Sequence, residues 1–433
     1  MPLTALTFLL VYLVGLIASV VASSAWPFLT YQAVYFANPT GRWWAYSVPS
    51  LPYSTITVLL LALHFFFRDR SPEQQSSVLA VPQTKYIAVH LLIMTAVTPI
   101  AVDPVAHAKI LGEFSKLCLT ILLAFSVICT FRRLLHSVWA YLGGCFYISW
   151  EAFTVGRSNN GRVEGIGPVD ALESNGTAAV LAPAPAMIMV FLVTGSRAQR
   201  IIAAVFGGWI VNALVLVNSR GAFLAVLGGC SYVVYHLLFS RVQQERQRLL
   251  VVFLVGVALI GAYSLTDEEF WLRMNTLQAL DNPEKESSRV HFWMAAVDLA
   301  KDYPFGAGAD GFQAMSRIYI PPEHFNGDGE RRAVHSTWFQ ALAETGWLGL
   351  LTMILLTLSC FRSGRRARRY ALDTENHEMF WTTVAVEGAF ISFLITATFI
   401  NRYHAEILYW LILYLACLHA LVPSVENQKL ESQ

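Results

Sequence analysis

The chain has 433 residues, of which 55% are hydrophobic and only 14% charged, with 12 Trp and 27 Phe. Soluble domains carry about a quarter charged residues, so this composition excludes one and makes the bilayer the main solvent. A net charge of +1 also excludes a nucleic-acid partner, because phosphate binding needs a basic surface. The six cysteines (Cys118, Cys129, Cys145, Cys230, Cys360 and Cys417) fall in apolar stretches without close pairs. They indicate neither a disulfide framework nor a zinc site and read as core residues.

Apolar runs near the ~20 residues that span a bilayer core number about twelve. They cover residues 3 to 24, 50 to 67, 86 to 102, 115 to 131, 134 to 152 and 177 to 195 in the first half. The second half adds 200 to 217, 220 to 239, 249 to 265, 337 to 360, 378 to 399 and 406 to 423. Residues 22 to 25 offer a small-residue cleavage site after the first run. No Lys or Arg precedes that run, so it reads as a helix rather than a secretory signal. The expectation is an all-α polytopic membrane protein, a single integral domain over residues 1 to 433. A further or re-entrant segment in residues 25 to 50 is left open.

Basic loops are retained in the cytoplasm. With the N-terminus inside, the inner loops hold Arg68 and Arg70, Arg132 and Arg133, Arg197 and Arg200, then Arg241, Arg246 and Arg248. The run Arg362, Arg365, Arg366, Arg368 and Arg369 falls on the same side. This agreement predicts an even number of spans and two cytoplasmic termini. Residues 266 to 334, between the ninth and tenth spans, then lie outside with the smaller loop 153 to 176. In the long loop Val290, Trp293, Met294 and Val297 repeat at helical spacing, Ser287 or Ser288 can cap, and Pro304 follows. A short amphipathic helix is expected, its apolar face packed on the membrane helices or the interface.

The string at residues 306 to 311, `GAGADG`, matches G-x-G-x-x-G but follows a helix, whereas the dinucleotide fingerprint needs a strand before it. It reads as a tight turn. Asn175, Gly176 and Thr177 form an acceptor sequon, a common accident. Glu344 and Glu387 fall in apolar runs with no obvious basic partner in sequence, and a structural and a functional role stay open for both.

A stronger signal is the placing of basic residues at outer helix starts. In `NSRGAFL`, Ser219 is a plausible N-cap and Arg220 lies in the first turn. Arg289 opens the amphipathic helix, and His335, in `VHSTWFQALAETGWLGL`, stands at the start of the tenth span. Helix N-termini bind anions through free N–H groups and the positive dipole end, so two guanidinium groups and an imidazole there suit a phosphate or pyrophosphate. Those surroundings keep His335 neutral, the state a general base requires. The plainer reading is that such residues snorkel to head groups. Lys116, read as an external helix start, and Arg157 and Arg162 in the smaller loop are secondary candidates for holding a phosphate or sugar hydroxyl. Trp338, Tyr319 and Tyr403 are candidates for a glycan path.

The order `NSRGAFL`, `SSRVHFWMAAVDLAKDYPFGAGADGF`, `VHSTWFQALAETGWLGL` resembles the O-antigen ligase and polymerase superfamily. `FSKLCLTILLAF` and `GRVEGIGPVDALESNGTAAVLA` are similar to it as well, and `FANPTGRWWAYSVP` resembles its O-glycosylation-ligase-like branch associated with exosortases. The resemblance implies a C-type glycosyltransferase needing neither metal nor nucleotide cofactor. Such an enzyme takes a glycan from undecaprenyl pyrophosphate at the periplasmic face of the inner membrane. The acceptor in the ligases is the lipid A core. The family's functional Arg, Arg and His match Arg220, Arg289 and His335 by motif. A polymerase or a protein O-oligosaccharyltransferase would use the same donor with another acceptor. A secondary transporter would instead show internal repeats and mid-membrane charges, which this sequence lacks. The outer face has no Asp-x-Asp pair of the kind that binds a diphosphate through a cation.

Overall fold

The computed structural model describes residues 1–67, 78–158, 161–242, 245–266, 268, 271, 288–322 and 331–423. Among them the regular structure is helical. In chain order the helices are α1 (Leu3–Val21), α2 (Trp26–Ala37), α3 (Tyr53–Phe67), α4 (Pro82–Val97), α5 (Pro104–Ile128) and α6 (Phe131–Val155). Next come α7 (Ser174–Leu181), α8 (Ala184–Thr194), α9 (Arg197–Val217), α10 (Arg220–Phe239) and α11 (Glu245–Leu265). The long loop carries α12 (Ser288–Asp302) and α13 (Gly311–Tyr319), and α14 (Thr337–Asp373), α15 (His377–Ala397) and α16 (Glu406–Ala420) follow. Each of the twelve expected spans falls on helix. Among the described residues seven helical stretches are long and apolar enough to cross a membrane, which makes this a multi-pass membrane protein without confirming the count of twelve. The basic residues Arg68 and Arg70 lie outside the described residues.

One apolar run is helical where the sequence left the matter open. α2 buries Phe28, Val34 and Phe36, and its one awkward residue, Gln32, is paired: the amide donates to the Tyr414 hydroxyl at 2.8 Å and accepts from the Ser137 hydroxyl at 2.9 Å. A buried amide with partners costs little, so the mixed composition of this segment still packs. Twelve residues rise ~18 Å, less than a bilayer core. The helix runs antiparallel to α1, as Val34 near its end packs with Ala5 and Phe8 near the start of α1.

That hairpin corrects the expected topology. Phe8 lies 5.0 Å from Tyr53 and 5.4 Å from Trp44, ring to ring, and Arg42 donates to the Ile166 carbonyl at 2.6 Å. The start of α1 is therefore at the same end of the bundle as the 161–173 loop and the start of α3. The described C-terminal end is at the opposite end, where Arg366 donates to the Pro423 carbonyl at 3.1 Å. The start of α1 and the end of α16 thus lie at opposite ends of the bundle, because α2 adds a pass back toward the starting end.

The basic clusters gather at the C-terminal end. Arg200 donates to Val193 at the end of α8 (3.0 Å), and Arg368 meets His236 near the end of α10 (3.4 Å). Arg362 to Arg369 lie on an extension of α14 and not in a loop, since that helix continues to Asp373. Glu387 has the partner that sequence did not reveal: Arg368 Nε is 2.6 Å from its carboxylate, which also accepts from the Tyr232 hydroxyl at 2.6 Å. This buried pair pins α10, α14 and α15 in register; losing one partner would strand the other charge.

The outer helices pack where expected but on a different face. Phe292, Ala295, Ala296 and Leu299 of α12 are buried against Phe312, Val334 and Ala343. Val290 and Met294, expected to face inward, are about half exposed, at 49% and 55%. The stripe 292, 295, 296, 299 has the same helical spacing, and its two alanines allow the helix to approach closely. α12 begins at Ser288, and Ser287 lies outside the described residues.

The glycine string is a clasp. Ala307 N donates to the Ala343 carbonyl at 2.8 Å and Gly308 N to that of Glu344 at 3.1 Å. These carbonyls lose their helical partners because α14 breaks at Gly346 (φ 68°, ψ −167°). A Cβ on Gly346 would meet the Pro304 carbonyl at 2.2 Å, and one on Gly306 (φ 99°) the Glu344 carbonyl at 2.4 Å. Both positions thus require glycine, for φ and for space. His107 closes the clasp from α5, its Nδ1 accepting from Ala309 N at 2.9 Å.

Candidate functional site

Three helix N-termini meet at the 398–402 segment that joins α15 to α16. A Cβ built on Gly221, second residue of α10, would lie 3.5 Å from Phe399 Cβ. From α12, the Arg289 guanidinium carbon stands 5.9 Å from the Phe399 ring centroid, and Trp293 is 6.4 Å from that ring. From α14, the Thr337 hydroxyl donates to the Ile400 carbonyl at 2.8 Å and accepts from Arg402 N at 2.9 Å. Arg220 is the first residue of α10 and Arg289 the second of α12. Arg289 therefore stands against Phe399, and Arg220 is the chain neighbour of Gly221, which approaches the same residue. Helix N-termini facing a common point, with guanidinium groups beside them, concentrate donors and positive charge where an anion can sit.

His335 stands two residues ahead of α14. Its φ of 52° is left-handed, a conformation unusual for a residue with a Cβ and one that needs its neighbours to hold it. They do so: Ser336 N donates to Asn401 Oδ1 at 3.1 Å, and Thr337 is tied on both sides as above. The imidazole is half-buried with its ring centroid 6.0 Å from that of Phe292. Burial lowers its pKa below the usual histidine value, and the charges of Arg289 and Arg332 lower it further. The ring is thus neutral at pH 7, with an acceptor lone pair available.

Arg332 was not singled out in the sequence, although it lies three residues before His335 in `RRAVH`. What hid it was the loop: only folding turns a polar connector back along α13, where Arg332 N donates to the Ser316 hydroxyl at 3.2 Å.

The secondary candidates fall into two places. Arg157 donates to the carbonyls of Val215 (3.0 Å) and Leu216 (3.4 Å), and Arg162 to that of Val217 (3.1 Å) and to Asn175 Oδ1 (2.7 Å). These guanidinium groups sit on the C-terminal end of α9, where cations satisfy orphan carbonyls and the negative dipole end. Ser219 occupies the N-cap position of α10 without a capping bond, and its hydroxyl donates to the same Asn175 oxygen at 3.1 Å. Arg162 and Ser219 together fix the α9–α10 turn that presents Arg220. Asn175, the sequon residue, is a junction of this network.

Lys116 is not at a helix start. α5 begins at Pro104, capped by Asp103, whose carboxylate accepts from Ala106 N at 3.1 Å, which places Lys116 halfway along the helix. The polar stretch before it hid the first three turns from a hydropathy reading. Its side chain lines a cavity of about 790 Å³ that also has Asn401 and Gln340 in its wall. Asn401 thus touches the His335 segment on one side and the cavity on the other. Glu344 lies behind Gln340, accepting from its amide at 2.8 Å, with His404 Nε2 3.5 Å away. Burial, together with His90 and His107, pushes the His404 pKa down to about 3. Of the aromatic candidates, Tyr403 lines the cavity. Trp338 donates to the Thr398 hydroxyl at 3.2 Å, and Tyr319 donates to Asp302 at 2.6 Å.

An all-helical, multi-pass membrane protein with a cationic cluster at one end of its bundle is the class defined by this fold and site. Within it, residues 202–354 match the family model described as O-antigen ligase. That stretch holds Arg220, Arg289, Arg332 and His335, and the match bears out the likeness to the O-antigen ligase superfamily. A comparison with curated proteins finds no match.

Proposed function

We propose that the protein is an O-antigen ligase-type glycosyltransferase of the bacterial inner membrane. It moves a polysaccharide from undecaprenyl pyrophosphate to a lipid A-core acceptor in lipopolysaccharide biosynthesis. The carrying observation is the half-buried, neutral His335 with Arg289 and Arg332 acting on it, inside the stretch that matches the family. With the basic end of the bundle cytoplasmic, this site faces the periplasm.

In this reading His335 takes the proton of the acceptor hydroxyl as its oxygen bonds to the anomeric carbon of the donor. The bond from that carbon to the pyrophosphate oxygen breaks, and Arg220 and Arg289 hold the charge that grows on the leaving group. One displacement inverts the anomeric centre. Arginine suits the leaving-group role, because its planar fork pairs with phosphate oxygens and keeps its proton. The outer face offers no Asp-x-Asp pair for a bridging cation, and in this reading the arginines take that role.

Deletion in the native host, with gel analysis of lipopolysaccharide and reconstitution of the purified protein in excess chelator, tests the proposal. Loss of the whole ladder with accumulation of lipid-linked polymer, and chelator-resistant transfer in vitro, are expected. A core capped by one repeat would make the protein a polymerase, and transfer restored only by magnesium or manganese would overturn the metal-free mechanism.

A further inference from the structure

Beside the cationic cluster lies the 790 Å³ cavity, and its chemistry is of another kind. It sits between α2, α3, α5, the first turn of α14 and the 401–406 segment. Three cations line it, Lys109, Lys116 and Arg402, and three acids, Glu113, Asp170 and Glu406. Formal charges therefore cancel. An anion would gain nothing net from such a wall, whereas at the His335 cluster the acting charges are all arginines.

The remaining wall is suited to hydroxyl groups. Tyr31, Tyr35 and Tyr403 contribute rings, and Asn38, Gln340 and Asn401 contribute side-chain amides that both donate and accept. Several of the polar groups are already aimed by the protein. Asp170 Oδ1 accepts from the Tyr35 hydroxyl at 2.7 Å, and Arg402 Nη2 is 2.8 Å from Glu173. Arg402 Nε, although buried, has no hydrogen-bond partner among the described residues. Buried polar atoms left so are costly unless a ligand or water completes them. Rings flanked by neutral pairs of donors and acceptors recognise a sugar, whose ring has apolar faces and an equatorial fringe of hydroxyls.

We infer that this cavity binds the uncharged sugar of the acceptor, and that Asn401 joins it to the catalytic segment. The inference rests on the transferase reading above. Asn401 accepts from Ser336 N, one residue from His335, so a sugar held in the cavity stands beside the proposed base, with the pyrophosphate cluster across the 398–402 segment. Lys116 and Glu113 then act on a hydroxyl fringe and not on phosphate.

The experiment uses the full-length protein in lipid nanodiscs and a diazirine-tagged neutral oligosaccharide, released from the host's own surface glycoconjugate and freed of phosphate and lipid. Crosslinks are mapped by mass spectrometry for wild type, Thr55→Trp and Glu113→Gln. Thr55 lines the cavity from α3 and is exposed, so the indole fills space without burying a charge. Crosslinks on the peptides of α2 and α5 are expected in wild type, reduced at least tenfold by Thr55→Trp, and competed by untagged oligosaccharide but not by inorganic pyrophosphate. In turnover assays both variants should raise the acceptor KM about tenfold and leave the donor KM unchanged. Competition by pyrophosphate, crosslinks only elsewhere, or a rise in donor KM alone would overturn the inference. Cavity crosslinks from a protein that transfers nothing would leave the sugar site standing and remove the transferase reading.

Discussion

Two polar regions share one end of this bundle, separated by the 398–402 segment. In one, Arg289 stands against Phe399 near the start of α10 that carries Arg220, and Arg289 and Arg332 act on His335; in the other, three cations face three acids around Tyr31, Tyr35 and Tyr403. The first has the charge excess that holds a leaving group through its transition state. The second has the neutrality that holds a hydroxylated ligand without attracting the phosphates of the donor. The proposed glycosyl transfer would bring together a dianionic carrier and an uncharged nucleophile, and separating the two chemistries by one loop would keep each ligand out of the other's place. Substitutions on the two sides should therefore affect different kinetic constants.

The largest effect belongs to His335. His335→Ala should lower turnover ~10²- to 10⁴-fold, the usual worth of general-base assistance, with little change in donor KM. The sign of the pH response follows from the lowered pKa: the active form is neutral, so the wild-type rate should rise with pH through a value below the usual 6.5 and then level off. The alanine variant should lose that limb. Retention of both limb and rate would make His335 a positioning residue.

Arg289→Lys comes next, since it keeps the charge and removes the planar fork. A fall in turnover of ~10²-fold is expected, by analogy with loss of one transition-state donor, with acceptor KM unchanged. Normal turnover in steady-state assays would return Arg289 to the outer membrane border.

The smallest effect should come from Arg162, which braces the α9–α10 turn from outside both regions. Arg162→Ala removes charge-assisted bonds worth ~1.5–3 kcal/mol each, and a lower melting temperature should accompany a turnover loss of only about tenfold, as Arg220 drifts. Unchanged melting together with a raised donor KM would show that Arg162 holds substrate directly.

Helix positions and the standing of Arg220, Arg289 and His335 at helix starts were legible in the sequence because each has a local cause. Apolar runs of bilayer length make helices whatever their neighbours are, and an Arg or His at the border of such a run stands at a helix end. The register of α12 was not legible, since two overlapping stripes have the same spacing and only the packing of Ala295 and Ala296 chose between them. Lys116 was misplaced because hydropathy reports the apolar part of α5 and misses its three polar outer turns.

Sequence alone determined the membrane class, the family likeness and the standing of Arg220, Arg289 and His335 at helix starts, all of which depend on composition or on residues close in the chain. Tertiary structure alone decided the direction of α1, the capping role of Arg157 and Arg162, the part played by Arg332, and the cavity around Lys116. Each of these depends on groups far apart in sequence, such as Phe8 with Tyr53, Arg162 with Val217 and Asn401 with Ser336. Hydrogen bonds and charges act over a few ångströms, and no local pattern of residues records which distant segments packing brings within that range.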